Sequence, residues 1–437
     1  MHPQQLLDAC TELVSLVLKF QHPADAVVSH FFKDNRKTMN LGQRERAVLA
    51  ETVYTVLRQK TRLEALARAG SGALARRLAI LAYPHSNASD ADFLQGALTP
   101  QEKNWLKDCQ KVDAGELLDA HKHNLPAWLA EALRKTFLEA SSGDAARGEE
   151  QFWAFCTACE GTAPLDVRVN ALNAKRDQIQ TVLQKAGVAC ELTPFSPLGL
   201  RMNARTALSK LTVFTAGAIE VQDEGSQLIT LLVDAKRGEM VADFCAGAGG
   251  KTLGLGAAMR STGRLYAFDT SAHRLTALKP RLARSGLSNI HPVAIAHERD
   301  ERIKRLAGKM DRVLVDAPCS GLGTTRRNPD LKWRQKPSDI AELTVKQTNI
   351  LQSAARLVKS GGRLVYATCS VLPEENENIA AAFSAANPDF VLMPAQTVLA
   401  NLGIPNADIL CHKDYLRLWP HIHQTDGFFA AVWQRKS

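Results

Sequence analysis

The stretch Asp243-Phe244-Cys245-Ala246-Gly247-Ala248-Gly249-Gly250-Lys251-Thr252 places a glycine-rich turn between an apolar strand and a helix. From about residue 216 onward, strand-like and helix-like segments alternate around this turn. That alternation is typical of a parallel sheet covered by helices on both faces. Seven strands are predicted, at residues 240–245, 264–269, 291–296, 312–316, 363–368, 390–393 and 428–433.

The glycine turn does not fit a phosphate loop of the Walker type. Such a loop needs a glycine six positions before its lysine, and Cys245 stands at that position before Lys251. The glycines also make only an imperfect dinucleotide fingerprint. Gly247, Gly249 and Gly250 would still allow a ligand to approach the backbone closely, although the turn could simply close a tight strand-to-helix connection.

A cofactor with a carboxylate suits this turn, because the first N–H groups of the following helix are free to bind an anion. S-adenosylmethionine carries such a carboxylate. Asp269 ends the second predicted strand, near the place where an acidic residue binds ribose hydroxyls in open α/β sheets. The turn and Asp269 therefore form a candidate cofactor site.

Two cysteines each follow a strand of the predicted sheet. Cys319 lies in Asp316-Ala317-Pro318-Cys319-Ser320-Gly321 and Cys369 in Thr368-Cys369-Ser370. If the two strands are neighbours, both thiols rim one pocket, and a cofactor turn beside two thiols indicates covalent catalysis. A single cysteine near a strand end is more often a small buried hydrophobic residue, which is our interpretation of Cys245 and Cys411.

The composition indicates a soluble, multidomain protein. Its 437 residues suggest roughly three domains, and its net charge of +9 fits a polyanionic partner. The nine cysteines are thinly spread, as expected in a reducing cytoplasm. Cys156 and Cys159 form a CxxC without a second pair, so we expect no metal site. We also expect no membrane span, no processed leader and a monomer.

Three regions follow from the periodicity along the chain. Residues 1–135 carry helical periodicity and predict a helical bundle, and residues 136–215 predict linker helices and a small α+β module. Residues 216–437 hold the alternating strands and helices of a candidate catalytic domain.

In its motifs the chain resembles the RNA cytosine carbon-5 methyltransferases of the RsmB or Sun family. The matching segments are residues 221–228, the glycine turn, residues 316–321 with Arg326, Arg327, Asn328, Pro329 and Asp330, residues 366–377, Pro420-His421, and residues 426–429. This resemblance implies a Rossmann-like class I methyltransferase domain that uses S-adenosylmethionine. The helical first region is similar, more loosely, to the NusB-like RNA-binding domain of bacterial RsmB members.

The resemblance also implies roles for individual residues. Cys369 would add to carbon 6 of cytosine, Cys319 would assist release of the methylated base, and Asp316 would hydrogen-bond the base. Lys251 is a candidate source of the field that favours a thiolate. The cofactor would be bound by Cys245, Ala246, Gly247, Ala248, Gly249, Gly250, Lys251, Asp269 and Asp316.

The sequence departs from the family pattern after the third predicted strand. The acidic residue usual there is replaced by Ala296-His297, and either Asp300 or His297 could compensate. The turn also reads Ala246-Gly247-Ala248-Gly249 where most members have Ala-Ala-Pro-Gly.

RNA is the expected partner, and ribosomal RNA of the small subunit is the first expectation. Candidate RNA-binding residues are Arg326, Arg327, Lys332 and Arg334 around Trp333, together with Arg36 and Arg44. A transfer RNA methyltransferase of the same family, a DNA cytosine methyltransferase using Cys319, and a non-enzymatic RNA-binding or assembly factor are the alternatives.

Overall fold

The computed structural model describes residues 1–36, 38–39, 41–84, 88–203 and 207–437, without the side chains of residues 88–91 and 114. The described chain divides into two compact units. One comprises Met1–Thr162 and Thr325–Gln335, and the other comprises Ala163–Thr324 and Lys336–Ser437. The second, larger unit contains the glycine turn and both strand-end cysteines.

The first unit is built from helices, and the prediction of a helical N-terminal region is confirmed. Its α-helices are Pro3–Val17, Ala24–Asp34, Gln43–Arg58, Lys60–Ala67, Leu74–Ala82, Ala88–Gln95, Pro100–Lys111, Asp119–Lys122, Ala127–Ala140, Ala145–Glu160 and Leu331–Arg334, with a 3₁₀ turn at Ala114–Glu116. Apolar residues at helical spacing, such as Leu6, Leu13 and Val17 of the first helix, form a buried core. Trp333 packs against this same core.

A small antiparallel sheet opens the second unit. Its strands are β1 (Leu165–Val169), β2 (Cys190–Leu192), β3 (Gly199–Met202) and β4 (Ile219–Val221), in the order β2-β3-β1-β4. The helix Arg176–Lys185 packs on it through Ile179 and Leu183. The strand β4 lies beyond residue 215, yet it pairs with β1 and completes this sheet.

The larger sheet contains all seven predicted strands. They are β5 (Met240–Asp243), β6 (Arg264–Asp269), β7 (Ile290–Ala294), β8 (Met310–Asp316), β9 (Val358–Thr368), β10 (Phe390–Met393) and β13 (Phe428–Arg435). The pairs β5–β6, β6–β7, β5–β8 and β8–β9 are parallel, and β13 is antiparallel to β9. Their apolar side chains form two cores, one on each face.

The predicted number of seven strands is wrong, because this sheet has nine. Its order is β11-β12-β13-β9-β8-β5-β6-β7, with β10 also pairing with β13. The two additional strands are β12 (Tyr415–Leu418) and β11 (Cys411–His412), and β11 is too short for a period-two pattern to reveal. They fit because β12 pairs with the first half of the long strand β13, while β10 pairs with its second half.

Helices and 3₁₀ turns connect these strands. The helices of the second unit are Arg176–Lys185, Thr212–Thr215, Glu224–Val233, Gly250–Ala258, Ala272–Ser285, Glu301–Lys304, Pro337–Ala355, Glu377–Ala386, Ala395–Asn401 and Pro420–His423, and its 3₁₀ turns are Leu208–Lys210, Leu322–Thr324 and Pro373–Glu375. Parallel pairing of β6, β5, β8 and β9 brings the carboxyl ends of four strands to one edge. Ligands of open α/β sheets bind at this edge.

Candidate active site

A cavity of about 590 Å³ lies at the carboxyl edge of the larger sheet. This volume is within the range of about 300 to 1,000 Å³ that is usual for ligand pockets. Its lining includes residues of the glycine turn, Lys251, Asp269, Asp316, Cys319 and Cys369. The structure therefore brings the predicted cofactor turn and both predicted thiols to one cavity.

The glycine turn joins β5 to the helix Gly250–Ala258. Gly249 has φ +84°, and a Cβ there would lie 2.2 Å from Cδ1 of Leu278, so this position requires glycine. Gly247 has φ +55° and open space where its Cβ would be. The backbone is thus exposed to the cavity at Gly247 and begins a helix at Gly250. Both properties fit a cofactor with a carboxylate.

Two carboxylates anchor the turn. Asp269, at the end of β6, accepts hydrogen bonds from the backbone N–H of Gly247 (2.8 Å) and of Ser271 (2.7 Å). Asp243, at the end of β5, accepts one from Oγ1 of Thr252 (2.6 Å). Burial raises the pKa of Asp243 to about 7 against the opposing effect of that hydrogen bond. Asp269 also lines the cavity, whereas Asp243 does not.

The two thiols are in contact. Asp316 of β8 stands in register with Ala367 of β9, and the chain continues from these residues to Cys319 and Cys369. Their sulfur atoms are 3.4 Å apart. The hydrogen bond with Cys369, and then burial, raise the pKa of Cys319 well above its ordinary value. At neutral pH the proton therefore stays on Cys319.

Lys251 forms an ion pair with Asp316 in the same cavity. Its Nζ atom donates to Oδ2 of Asp316 at 2.7 Å. Burial lowers the pKa of Lys251, but the charge and hydrogen bond of Asp316, with a smaller contribution from Cys369, outweigh burial and raise it. Lys251 is therefore a cation at neutral pH, and it lines the same cavity as Cys369.

The backbone that follows Cys319 is held close to Cys369. The N–H of Gly323 donates to the carbonyl of Cys369 at 2.8 Å, and the N–H of Gly427 donates to the carbonyl of Gly323 at the same distance. A Cβ at Gly323 would stand 2.1 Å from the carbonyl oxygen of Gly427. These contacts hold the loop that follows Cys319 against the segment after Cys369 and against the residues that precede the C-terminal strand β13.

Of the three residues His297, Glu298 and Asp300, which follow the third predicted strand, only Glu298 lines the cavity. Asp300 is 8 % exposed and does not line the cavity. Its carboxylate accepts from the backbone N–H of Ala296 and of Arg302, both at 2.9 Å, and so begins the helix Glu301–Lys304. His297 does not line the cavity either. Glu298 does, and the position of its carboxylate in the loop could not be read from spacing.

The expected RNA contact of Lys332 disagrees with its burial. Lys332 is 1 % exposed, and its Nζ atom donates to the carbonyl of Arg58 at 2.9 Å. Burial lowers its pKa to about 8. Arg326 is also buried, whereas Arg327 and Arg334 are partly exposed and Arg36 and Arg44 are exposed. Residues 325–335 belong to the helical unit, which explains why basic residues so close to Cys319 in sequence do not all reach the surface.

Several residues of the site escaped the sequence analysis. Thr324 and Lys346 line the cavity although no motif pointed to them, and Ser226 and Phe428 line it although no role was predicted for them within their matching segments. Arg168 of β1 is buried and donates from Nη1 to the carbonyl of Gly250 at 3.0 Å, so the small sheet supports the glycine turn. Only the contacts between distant segments of the folded chain reveal these residues.

This fold and this cavity define a class I methyltransferase that uses S-adenosylmethionine. Sequence models identify the region more closely: residues 230–434 match the 16S rRNA methyltransferase RsmB/F family, and residues 125–209 match the ferredoxin-like domain of RsmF/B-like methyltransferases. The chain belongs to the RsmB/F methyltransferase family.

Named relatives agree with this membership. The chain is 33 % identical over 332 residues to the probable ribosomal RNA small subunit methyltransferase B of Synechocystis, covering 76 % of this chain and 70 % of that protein. It is 32 % identical over 379 residues to ribosomal RNA small subunit methyltransferase B of Sodalis glossinidius, covering 80 % and 84 %.

Solved structures share the fold. The crystal structure of PH0851 superposes with a TM-score of 0.76 at 26 % identity, covering 100 % of this chain and 99 % of the other. The structure of NSun6 from Pyrococcus horikoshii with SFG has a TM-score of 0.58 at 19 % identity, covering 70 % and 98 %.

Two features are absent from the described residues. None of their helices is long and apolar enough to cross a membrane. Within the same part of the chain, no three His, Cys, Asp or Glu side chains are grouped so that they could hold a metal ion.

Proposed function

We propose that the protein methylates carbon 5 of a cytosine in RNA, with Cys369 as the nucleophile. The observation that carries this proposal is the 3.4 Å contact between the sulfur atoms of Cys369 and Cys319 in a cavity that also holds the cofactor turn. Carbon 5 of cytosine is too weak a nucleophile to accept a methyl group unaided. A thiol in the cavity has a use in this reaction, because its addition to carbon 6 makes carbon 5 more nucleophilic.

The cofactor fits the residues of the turn. The N–H groups at the start of Gly250–Ala258 would bind the carboxylate of S-adenosylmethionine, the open backbone at Gly247 would approach it, and Asp269 would accept from the ribose hydroxyls. Asp269 has lone pairs left for this role, since each of its oxygens accepts one backbone hydrogen bond. When bound, the cofactor supplies an electrophilic methyl group.

The protein's own residues activate the base. A Cys369 thiolate adds to carbon 6, which forms a carbon–sulfur bond and makes carbon 5 nucleophilic. Lys251 stabilises the thiolate before attack, and Asp316, which is 31 % exposed in the cavity, hydrogen-bonds the base. After methyl transfer, the carbon-5 proton passes to water, its electron pair restores the double bond between carbons 5 and 6, and the carbon–sulfur bond breaks so that Cys369 leaves as a thiolate. Cys319, which keeps its proton beside Cys369, assists this release.

Ribosomal RNA of the small subunit is the proposed substrate. The relatives named above carry that substrate in their names, and the net charge of +9 suits a polyanion. The helical unit is proposed to bind RNA as a NusB-like domain, with Arg36, Arg44, Arg327 and Arg334 as phosphate contacts. The proposed enzyme acts in the cytoplasm.

Replacement of each thiol tests the chemistry. Purified protein is mixed with S-adenosylmethionine and small-subunit ribosomal RNA lacking methylation, and the products are separated on denaturing gels. Cys369→Ala should abolish both methylation and covalent RNA capture, whereas Cys319→Ala should accumulate a protein–RNA adduct because release fails. The opposite pattern would assign the nucleophile to Cys319.

Bisulfite sequencing of total RNA from cells with and without the gene tests the substrate. A cytosine that loses its mark in small-subunit ribosomal RNA would support the proposal. A lost mark in transfer RNA would refute the substrate but keep the chemistry, and the absence of any changed site would refute the proposed activity.

A further inference from the structure

A fully buried carboxylate lies behind the two thiols. Glu375 ends the 3₁₀ turn Pro373–Glu375, is 0 % exposed and does not line the cavity. Its Oε1 atom accepts from the backbone N–H of Ser320 (2.8 Å) and from Nε2 of Gln347 (3.0 Å). Its Oε2 atom accepts from Oγ of Ser320 (2.6 Å) and from Oγ of Ser370. Both oxygens are therefore fully engaged.

These donors are the neighbours of the two cysteines. Ser320 follows Cys319 in the chain and Ser370 follows Cys369, and their hydroxyl oxygens are 3.2 Å apart. Gln347 also donates to the carbonyl of Pro318 at 3.0 Å, so the residue before Cys319 is held as well. One carboxylate thus joins the end of β8 to the end of β9 immediately beside the thiols.

Among the described residues, the hydrogen-bond donors to the Glu375 side chain are all neutral. No Lys or Arg among the described residues forms an ion pair with it. A buried carboxylate is costly unless it is hydrogen-bonded, and hydrogen bonds to a charged acceptor are shorter and stronger than those between neutral groups. If the only role of this region were to pack the two strands together, apolar side chains would do so without the free-energy cost of burying a carboxylate.

We propose that Glu375 is a positioning residue that sets the distance between Cys319 and Cys369 and disfavours a negative charge on Cys319. The inference rests on the proposed function, in which Cys369, and not Cys319, attacks the base.

The distance part of the role follows from geometry. Four hydrogen bonds converge on one rigid carboxyl group, and two of the donors are the hydroxyls next to the cysteines. Loss of this anchor would let the loop after β8 and the loop after β9 separate, and the 3.4 Å contact of the sulfur atoms would lengthen.

The effect of Glu375 on the charge of Cys319 is electrostatic. A negative charge on Cys319 would face the negative charge of Glu375, and this repulsion adds to the effects of the Cys369 hydrogen bond and of burial in raising the pKa of Cys319.

The test is a measurement of thiol reactivity that does not depend on methylation. Full-length wild-type protein, Glu375→Gln and the control Glu374→Gln, which alters an exposed neighbour, are treated briefly with iodoacetamide at pH 7. Mass spectrometry then gives the ratio of alkylation at Cys319 to that at Cys369. We expect this ratio to rise by about tenfold in Glu375→Gln and to stay unchanged in the control, because the neutral side chain no longer opposes a thiolate at Cys319.

Methylation and folding are measured on the same samples. Glu375→Gln should lose about tenfold or more in methyl transfer while retaining binding of S-adenosylhomocysteine by calorimetry. Should Glu375→Gln fail to fold, Ser320→Ala and Ser370→Ala each remove one donor to the carboxylate, and each should lower methyl transfer without loss of cofactor binding. An unchanged alkylation ratio in folded Glu375→Gln would overturn the proposal, as would full activity of both serine variants.

The two proposals fail in different ways. If the wild-type protein methylates no RNA, the proposed function is refuted, yet the alkylation ratio still tests the role of Glu375. If methylation proceeds and the ratio is unchanged, only the role of Glu375 is refuted.

Discussion

The Nζ atom of Lys251 lies 2.7 Å from Oδ2 of Asp316, and both side chains line the cavity that holds Cys319 and Cys369. The pair joins the helix after the cofactor turn to the strand that precedes the first thiol. The cation is thereby held in the same cavity as both thiols.

Lys251→Met should slow methyl transfer by about tenfold to a hundredfold, because it removes the charge that favours the Cys369 thiolate. Single-turnover formation of the protein–RNA adduct should slow to the same extent. Lys309→Met removes an exposed charge from the same unit and serves as the control. Normal adduct formation in folded Lys251→Met would show that Lys251 is not the positive charge that favours the thiolate.

Asp269→Ala should weaken binding of S-adenosylhomocysteine by about 1 to 3 kcal/mol. The variant removes a candidate ribose acceptor and also releases the backbone N–H of Gly247, to which Asp269 is bound at 2.8 Å. Calorimetry measures the change, and a thermal melt separates it from general unfolding. Unchanged affinity in a folded variant would show that the ribose is held by another residue.

Glu298→Gln should also weaken binding of the cofactor, because Glu298 is the acidic side chain after β7 that lines the cavity. We expect a loss of about 1 kcal/mol in the binding of S-adenosylhomocysteine. The exposed residue Glu301 offers the control Glu301→Gln. Asp300→Asn should instead lower the free energy of unfolding by about 1 kcal/mol, since Asp300 begins a helix. A larger effect of Asp300→Asn on cofactor affinity than of Glu298→Gln would contradict this assignment.

Gly323→Ala should disrupt the active site while sparing the cofactor turn. The added methyl group would meet the carbonyl oxygen of Gly427 at 2.1 Å, so the backbone after Cys319 must move. We expect a loss of about 1 to 3 kcal/mol in the free energy of unfolding and a larger relative loss of methyl transfer. Urea unfolding measures the loss of stability and a methylation assay measures the loss of methyl transfer. Normal stability and normal activity of Gly323→Ala would show that the close approach of Gly323 to Gly427 is not required.

Lys332→Met tests the expected RNA contact against the observed burial. The folded pKa of Lys332, about 8, lies below the ordinary value of 10.5, so burial of this cation opposes folding at neutral pH and ceases to do so above pH 10.5. The free energy of unfolding of Lys332→Met, relative to wild type, should therefore be higher at pH 7 than at pH 10. Its RNA affinity and the salt dependence of that affinity should match wild type, and a weaker, less salt-dependent complex would restore the original prediction.

Local patterns in the sequence were sufficient to predict seven of the nine strands of the larger sheet and to place the two thiols in one cavity. Cys319 and Cys369 could be placed in one cavity because the ends of neighbouring parallel strands meet at one edge. Asp269 could be placed beside the glycine turn for the same reason.

The residues that no pattern revealed act across the fold. Glu375 lay inside a segment already noted for its resemblance, but its partners Ser320 and Gln347 are distant in sequence, and only the packed structure joins them. The burial of Lys332 could not be read from the sequence, because its hydrogen-bond acceptor, the carbonyl of Arg58, lies far away in the chain.

The assignment of residues 325–335 to the helical unit has a consequence for dividing the gene. Within that unit, the indole N–H of Trp333 donates to the carbonyl of Leu57 at 2.7 Å, and Asp330 accepts from the N–H of Ala24 at the start of the helix Ala24–Asp34. Deletion of residues 1–162 would leave residues 325–335 without these hydrogen-bond partners and would expose the side chain of Trp333 to water. The catalytic half therefore cannot be excised as one continuous piece, and an isolated version would need residues 325–335 replaced by a short polar linker.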